Sequence, residues 1–363
     1  MDFVADFPIS PRLREPLAAA LRGKASDWPD SLSADEVDAI VAHGMGPLVY
    51  ASAALLQLRS EALRASALEP LRAADLAEVL AALAPRGVQP LITKGTALAY
   101  DIYDAPELRP RSDTDLLIAR EDLPVLRETM LALGFEEVPS SGDEHGLRQA
   151  VFTRAPGMVY DVHWAATNVP AFDAVLRYHD LRTRAIAIPP LGNHARGLSR
   201  VDALLMACIH RVAHHHDSDR LIWLADIALL RERLSREEHA RFWRFAAQGR
   251  VVAVCSHSIA VAGQWLSRTP HDLAEEWLSA GELSREEPSR VFLDRDITHG
   301  RVMAANLRAL PWHERVERLW QLAFPPAEYM RGSFNTRSAL LLPLLYVYRG
   351  MRGIARLFKR AAR

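Results

Sequence analysis

Apolar and polar positions alternate at helical spacing through the first 87 residues. Ser33 ahead of Ala34-Asp35-Glu36 has the form of an N-cap with a Ser-x-x-Glu capping box. A stretch from Gln57 to Ala84, rich in Ala, Leu, Arg and Glu, predicts one long helix with a break point at Pro70 and a stop at Pro85-Arg86-Gly87. Beyond that stop the texture changes to short apolar runs with β-branched or aromatic residues: Gln89 to Thr93, Thr114 to Ala119, Gln149 to Thr153 and Met158 to Trp164. A helix from Asp122, with Pro124 early and Gly134 at its end, separates two of them. From Ser199 the 3.6-residue period returns over Val201–His214, Leu221–Leu234, Glu237–Gln248 and Val251–Leu266. The pattern predicts an α+β chain: an N-terminal helical region over 1–87, a mixed α/β core over 88–190, and a C-terminal helical region over 191–363.

Composition narrows the class. With 363 residues, 49% hydrophobic, 25% charged and a formal net charge of -1, the chain has neither a disordered acidic character nor a globally basic coat for nucleic acid. The start, Met1-Asp-Phe-Val-Ala-Asp, places acidic residues where a secretory signal has basic ones. Cys208 and Cys255 both fall in apolar helical patterns, as small buried hydrophobes do. The longest apolar run, Ala339 to Tyr348, contains Pro343 and falls well short of the roughly 20 residues that span a bilayer. A cytoplasmic protein without a transmembrane segment is the expectation. Only three of the 44 basic residues are lysines: Lys24, Lys94 and Lys359.

Lys94 heads the chemically informative segment. A strand that runs through Lys94-Gly95-Thr96 into a helix presents free backbone N–H groups at a helix N-terminus, and the glycine permits close approach of a phosphate. Lys94 reaches a β- or γ-phosphate from there, or is a surface lysine at a strand end. Asp113 and Asp115 are two apart on a predicted strand, so their side chains leave the same face. With Asp161 on a neighbouring strand, three carboxylates would hold two Mg²⁺ ions about 3.5–4 Å apart, one activating a hydroxyl and one steadying a leaving pyrophosphate. His163, two residues after Asp161, shares its face. Arg109 and Arg111 flank the paired aspartates and either clamp phosphate oxygens or pair with Glu107 and Asp113; Arg109 is the candidate for function, and Arg111 is left open.

The set Lys94-Gly95-Thr96-Ala-Leu-Ala, Arg109-Pro-x-x-Asp113-x-Asp115-Leu-Leu-Ile and Asp161-Val-His163-Trp164 resembles the uncharacterised bacterial nucleotidyltransferase family of the polymerase-β superfamily. The resemblance implies a small mixed sheet flanked by helices, a Gly-Ser or Gly-Gly phosphate turn, a paired-Asp metal site and a third catalytic carboxylate. Those carry to Gly95 and Thr96, to Asp113 and Asp115, and to Asp161. Thr96 stands where Ser or Gly is usual, and sixteen residues separate it from Asp113, a longer insert that the loop at Asp104-Ala-Pro-Glu accommodates. Abortive-infection nucleotidyltransferase toxins have a similar Lys-Gly-Gly and Arg-x-Ser-Asp-x-Asp pattern.

His210 and His214 in His210-Arg-Val-Ala-His214-His215-His216 lie at i, i+4. That spacing fits a two-histidine metal grip, a polar helix end whose cationic histidines suit the macrodipole, or a lining for the acceptor side of a cleft. The stretch from His210 to Asp226 also resembles the helical region after the catalytic sheet in the same family, where His210, His214 and Asp226 would bind nucleotide or position the acceptor. Near the C-terminus Arg349, Arg352, Arg356, Lys359, Arg360 and Arg363 gather on one side of a helix, opposite Val347, Met351, Ile354 and Phe358. Such a basic amphipathic helix meets an anionic membrane surface or RNA, or packs its apolar stripe on its own domain.

The expected activity is a Mg²⁺-dependent (or Mn²⁺-dependent) transfer of a nucleoside monophosphate from an NTP such as ATP to a hydroxyl or phosphate acceptor, with release of pyrophosphate. The acceptor is a small molecule, a peptide or RNA. Alternatives are a toxin-like transferase acting on tRNA and a non-catalytic nucleotide-binding module that keeps the fold.

Overall fold

The computed structural model describes residues 7–24, 26–138, 148–173, 175–215, 217–266, 287–294, 297–325, 327–334, 336 and 338–358. Lys359, Arg360 and Arg363 of the expected basic stripe, and His216 of the histidine run, lie outside them, as do the side chains of Ile354 and Arg356.

Helices α1 (Arg14–Leu21), α2 (Ala34–Ala42), α3 (Gly46–Ala53) and α4 (Arg59–Leu83) come first. Ser33 caps α2 as its sequence predicts: its hydroxyl accepts from the Glu36 N–H and the Glu36 carboxylate accepts from the Ser33 N–H. Pro70 removes one backbone donor from α4 without ending it, so the expected long helix is continuous.

The mixed segment follows as β1 (Leu91–Thr93), α5 (Lys94–Asp101), β2 (Thr114–Leu117), α6 (Leu123–Ala132), β3 (Glu136–Val138), β4 (Gln149–Arg154), β5 (Met158–His163), α7 (Tyr178–Thr183), β6 (Ile186–Ala187) and β7 (Arg196–Gly197). Among the described residues these strands form one seven-stranded sheet in the order β3-β4-β5-β2-β1-β7-β6. It is mixed: β2 runs parallel to β5 and antiparallel to β1, and β1 is parallel to β7. The four expected strands are present, while β3, β6 and β7 are too short and too polar to announce themselves as apolar runs. Helices α8 (Arg200–Ala213), α9 (Leu221–Arg233), α10 (Arg236–Gln248) and α11 (Val252–Leu266) then match the four helical periods in the sequence. The chain closes with α12 (His299–Ala309), α13 (Trp312–Ala323), α14 (Ala327–Ser333) and α15 (Leu342–Leu357). The architecture is α+β, a mixed sheet flanked by helices, and no helix among the described residues is long and apolar enough to cross a membrane.

The central strands are buried on both faces, and their alternation divides the core in two. Ile92, Leu116, Tyr160 and Val162 point into one cluster with Leu76, Val79 and Leu83 of α4 and Met130 of α6. Leu91 and Leu117 point the other way, into a cluster built from α1, α8, α9 and α11 together. Aspartates in register with Leu91 and Leu117 therefore open toward the helical layer. The far end differs: Val347 and Met351 on α15 and Phe358 just beyond it are 62%, 67% and 82% exposed, so among the described residues nothing covers this part of the apolar stripe.

Candidate active site

The pairing register of β2 assembles the site. Asp115 lies opposite Thr93 on β1 and opposite Asp161 on β5. Because alternate residues of a strand share a face, His163 joins Asp161, and Asp113, one residue ahead of β2, joins Asp115. The His163 Nε2 is 3.2 Å from Asp115 Oδ1 and 3.2 Å from Asp161 Oδ2. Ligand atoms of Asp115, Asp161 and His163 all lie within 4.8 Å of one another. Ser112 donates its hydroxyl to Asp113 Oδ1 at 3.3 Å.

Lys94 is the cation of this cluster. Its Nζ donates to Asp115 Oδ1 at 2.6 Å and stands 3.4 Å from His163 Nε2. The backbone of Lys94 adopts the left-handed region, φ 52°, at the joint between β1 and α5, a conformation that L residues other than glycine and asparagine seldom hold. The expected phosphate lysine thus makes its contact in this structure with a carboxylate. Gly95 lines the cavity, but a Cβ there would come within 3.1 Å of the Arg109 guanidinium, so glycine is what permits that approach. Thr96 is buried, and its hydroxyl has no partner among the described residues. No side chain among the described residues caps the N-terminus of α5, so none of them takes up its first N–H groups.

Proton affinities follow from the crowding. Burial pushes the Asp115 carboxyl up, but Lys94 and His163 outweigh it and bring it down to about 2. Asp113 moves up, through burial and then through repulsion by Asp115. Burial opposes charge on His163, yet its hydrogen bonds to Asp115 and Asp161 prevail and hold its proton above the usual histidine range. Asp161 Oδ1 and His163 Nδ1 are buried without a partner among the described residues. An orphaned carboxylate oxygen beside acceptors that repel one another is a donor set fit for a divalent cation.

These groups form part of the wall of a cavity of about 1010 Å³. Across it stand His210, His214 and His215 with Trp223. The His210 and His214 rings stack at 4.8 Å, and His215 stacks on Trp223 at 3.8 Å. Burial, reinforced by the charge of Lys94, drives His214 down to about 3 and His210 well below its usual value. Both are neutral, so the cationic helix end is not their state; His214 Nε2 accepts from the Asn168 N–H at 3.1 Å. The grouping of three metal-ligating residues found among the described residues is Asp115, Asp161 and His163 and includes neither of them.

Arg109 and Asp226, both nucleotide-binding candidates in the sequence, are brought to each other. Arg109 donates from Nε at 2.9 Å and from Nη2 at 2.7 Å, Tyr103 donates to the same carboxylate at 2.8 Å, and Arg109 Nη1 reaches the Pro110 carbonyl at 2.8 Å. Sequence reasoning overlooked Glu69 and Arg72 on α4. A signal was there, since both continue the buried stripe Leu76-Val79-Leu83 at helical spacing, and charges on a buried stripe require partners.

The model of one protein family, described as an uncharacterised nucleotidyltransferase, matches residues 37–267. The chain belongs to that family. The match begins on α2 and ends after α11, so it takes in the sheet, the carboxylate cluster and the helical wall across the cavity. No curated protein matches the chain. Membership gives the general reaction class, nucleotidyl transfer, and Asp115, Asp161 and His163 of β2 and β5 are a group able to hold a metal ion.

Proposed function

We propose that the protein transfers a nucleoside monophosphate from an NTP to a hydroxyl or phosphate acceptor, with divalent metal held by Asp113, Asp115 and Asp161. The observation that carries this reading is the register of β2 with β5, which sets Asp115 beside Asp161 with Asp113 on the same face, at the wall of a cavity large enough for a nucleotide and an acceptor. A bound Mg²⁺ or Mn²⁺ would supply charge neutralisation at the reacting phosphorus and at the leaving pyrophosphate. Asp161, whose Oδ1 has no partner among the described residues, would take the acceptor proton. His163 orients both carboxylates, and the open N–H groups at Gly95 and Thr96 seat phosphate oxygens. Lys94 contributes a compact cation that follows the phosphates once Asp115 turns to metal. His210 and His214, neutral and buried, face the acceptor or the base, and the Arg109–Asp226 pair fixes the shape of the wall between them.

Incubation with each α-labelled NTP, Mg²⁺ or Mn²⁺ and cell extract tests the proposal, and the labelled fraction (protein, RNA or small molecule) names the acceptor. Asp113→Asn should cut transfer by more than the roughly 10–100-fold that loss of an outer-shell partner of a metal costs, with the fold retained by circular dichroism. A wild-type protein that binds no NTP in either metal would end this reading.

A further inference from the structure

Charge on the cavity wall is unbalanced in a second place, between α4 and the segment that leads into β2. Arg111 precedes β2 and its side chain is only 3% exposed. Its Nη2 donates to Glu69 Oε1 at 2.7 Å, while its Nε and Nη1 are buried and have no acceptor among the described residues. Tyr100 donates to that same Oε1 at 2.5 Å, and Glu69 does not reach Nε or Nη1 of Arg111. Arg72, one turn further along α4, donates to the Arg111 carbonyl at 2.7 Å and brings a second guanidinium to the same wall. Around Arg72, three guanidiniums, its own with those of Arg111 and Arg64, face two carboxylates, Glu69 and Asp113, and partial burial together with the Arg111 charge pushes Arg72 down from its usual proton affinity.

Unpaired donors of a buried guanidinium are costly, and the ligand that satisfies them is an anion with several oxygens. Peptide carbonyls and water would meet the donors without meeting the charge. A phosphoryl group meets both, since its oxygens match the fork of a guanidinium and its charge balances a pair of them.

We propose that Arg111 and Arg72 form a phosphoryl-binding site on the α4 wall of the cavity, distinct from the open N–H groups of α5. The site rests on the proposed transferase activity for its biological use but not for its chemistry. The phosphoryl group comes from the polyphosphate of the nucleotide or from a phosphorylated acceptor. Each nitrogen of Arg109, by contrast, already has an acceptor, in Asp226 or in the Pro110 carbonyl.

The test is equilibrium binding to the full chain, by calorimetry, of inorganic pyrophosphate, a non-hydrolysable NTP, the matching nucleoside and inorganic phosphate. Wild type is compared with Arg111→Gln, Arg111→Lys and Arg72→Gln. Arg111→Gln should weaken pyrophosphate binding about ten- to hundredfold, as loss of charge-assisted hydrogen bonds does, and leave the nucleoside unchanged. Arg111→Lys should recover part of it, and Arg72→Gln, on a less buried side chain, guards against loss of the fold in the first variant. An equal loss for the NTP analogue assigns the site to the nucleotide, whereas loss for phosphate and pyrophosphate alone assigns it to the acceptor. Unchanged affinity for all the phosphoryl probes in folded Arg111→Gln and Arg72→Gln overturns the site even where wild type binds NTP. Pyrophosphate binding that depends on Arg111 in a protein that binds no NTP keeps the site and removes the transferase reading.

Discussion

Two buried charge clusters share one cavity and differ in how their charges are matched. At Asp226 one guanidinium meets one carboxylate through two parallel hydrogen bonds, a tyrosine hydroxyl completes the arrangement, and every guanidinium nitrogen has an acceptor. At Asp115 three carboxylates converge on one ammonium and one imidazole, and a carboxylate oxygen and a ring nitrogen have no partner among the described residues. Asp115 and His163 are as buried as Arg109 and Asp226, so burial of the central pair does not distinguish the two clusters; balance does. A cluster that is complete in itself holds helices and loops together, and one that is incomplete is built around something that arrives later.

The difference can be broken most forcefully at the balanced pair. Asp226→Ala leaves the Arg109 guanidinium buried without a counter-charge and should cost about 3–5 kcal/mol in denaturant unfolding, whereas the double replacement Arg109→Met with Asp226→Leu should recover most of that loss. If the single variant is as stable as wild type, the pair is not structural. The incomplete cluster should respond in the opposite sense, to a ligand rather than to a deletion: Mg²⁺ at about 100 times its dissociation constant should stabilise wild type by about 2.7 kcal/mol in thermal melts, and Asp161→Asn should abolish that gain.

A smaller effect concerns the neutral histidines. His214 has a proton affinity of about 3 when folded and regains that of an ordinary histidine, about 6.5, when unfolded. Between those values the unfolded chain binds a proton that the folded one does not, so stability falls as pH drops below about 6.5. His214→Gln, which keeps an acceptor for the Asn168 N–H, should flatten that acid limb, with His210 supplying the remaining slope. Parallel unfolding curves from pH 7.5 to pH 5 for both proteins would dispose of this account. The smallest change belongs far from either cluster: Met351→Ser on the open stripe of α15 should alter stability by no more than about 0.5 kcal/mol in urea unfolding.

Much of the reacting face was legible in the sequence because it is written in local spacing. Asp113 and Asp115, then Asp161 and His163, stand two apart in strand-like runs, and that period alone puts each pair on one face. The four long helices after Ser199 were legible for the same reason, at the other period. What could not be read is pairing across long separations. Nothing in the neighbourhood of Arg109 says that its partner lies on α9, 117 residues away; a phosphate was expected for Arg109 and a nucleotide or acceptor for Asp226, and the structure brings the two side chains into contact. Lys94 was expected beside these carboxylates' ligand, a phosphate, and its carboxylate partner depends on β1 lying beside β2, a fact of topology. Arg111 was open between two roles because its donors are left over only after Glu69 arrives from α4.

The parallel pairing of β2 with β5 has a consequence for how this gene can change. Asp161 stands beside Asp115 because the residues from the start of β5 are counted in step with those of β2. A substitution there alters one side chain, but loss of a single codon between Met158 and Asp161 turns the rest of the strand over, sending Asp161 and His163 into the apolar cluster that Tyr160 and Val162 occupy. The same loss in the turn at Ala155-Pro156-Gly157 leaves the count intact. Insertions and deletions among descendants of this sequence should therefore accumulate in that turn and stop abruptly at the strand.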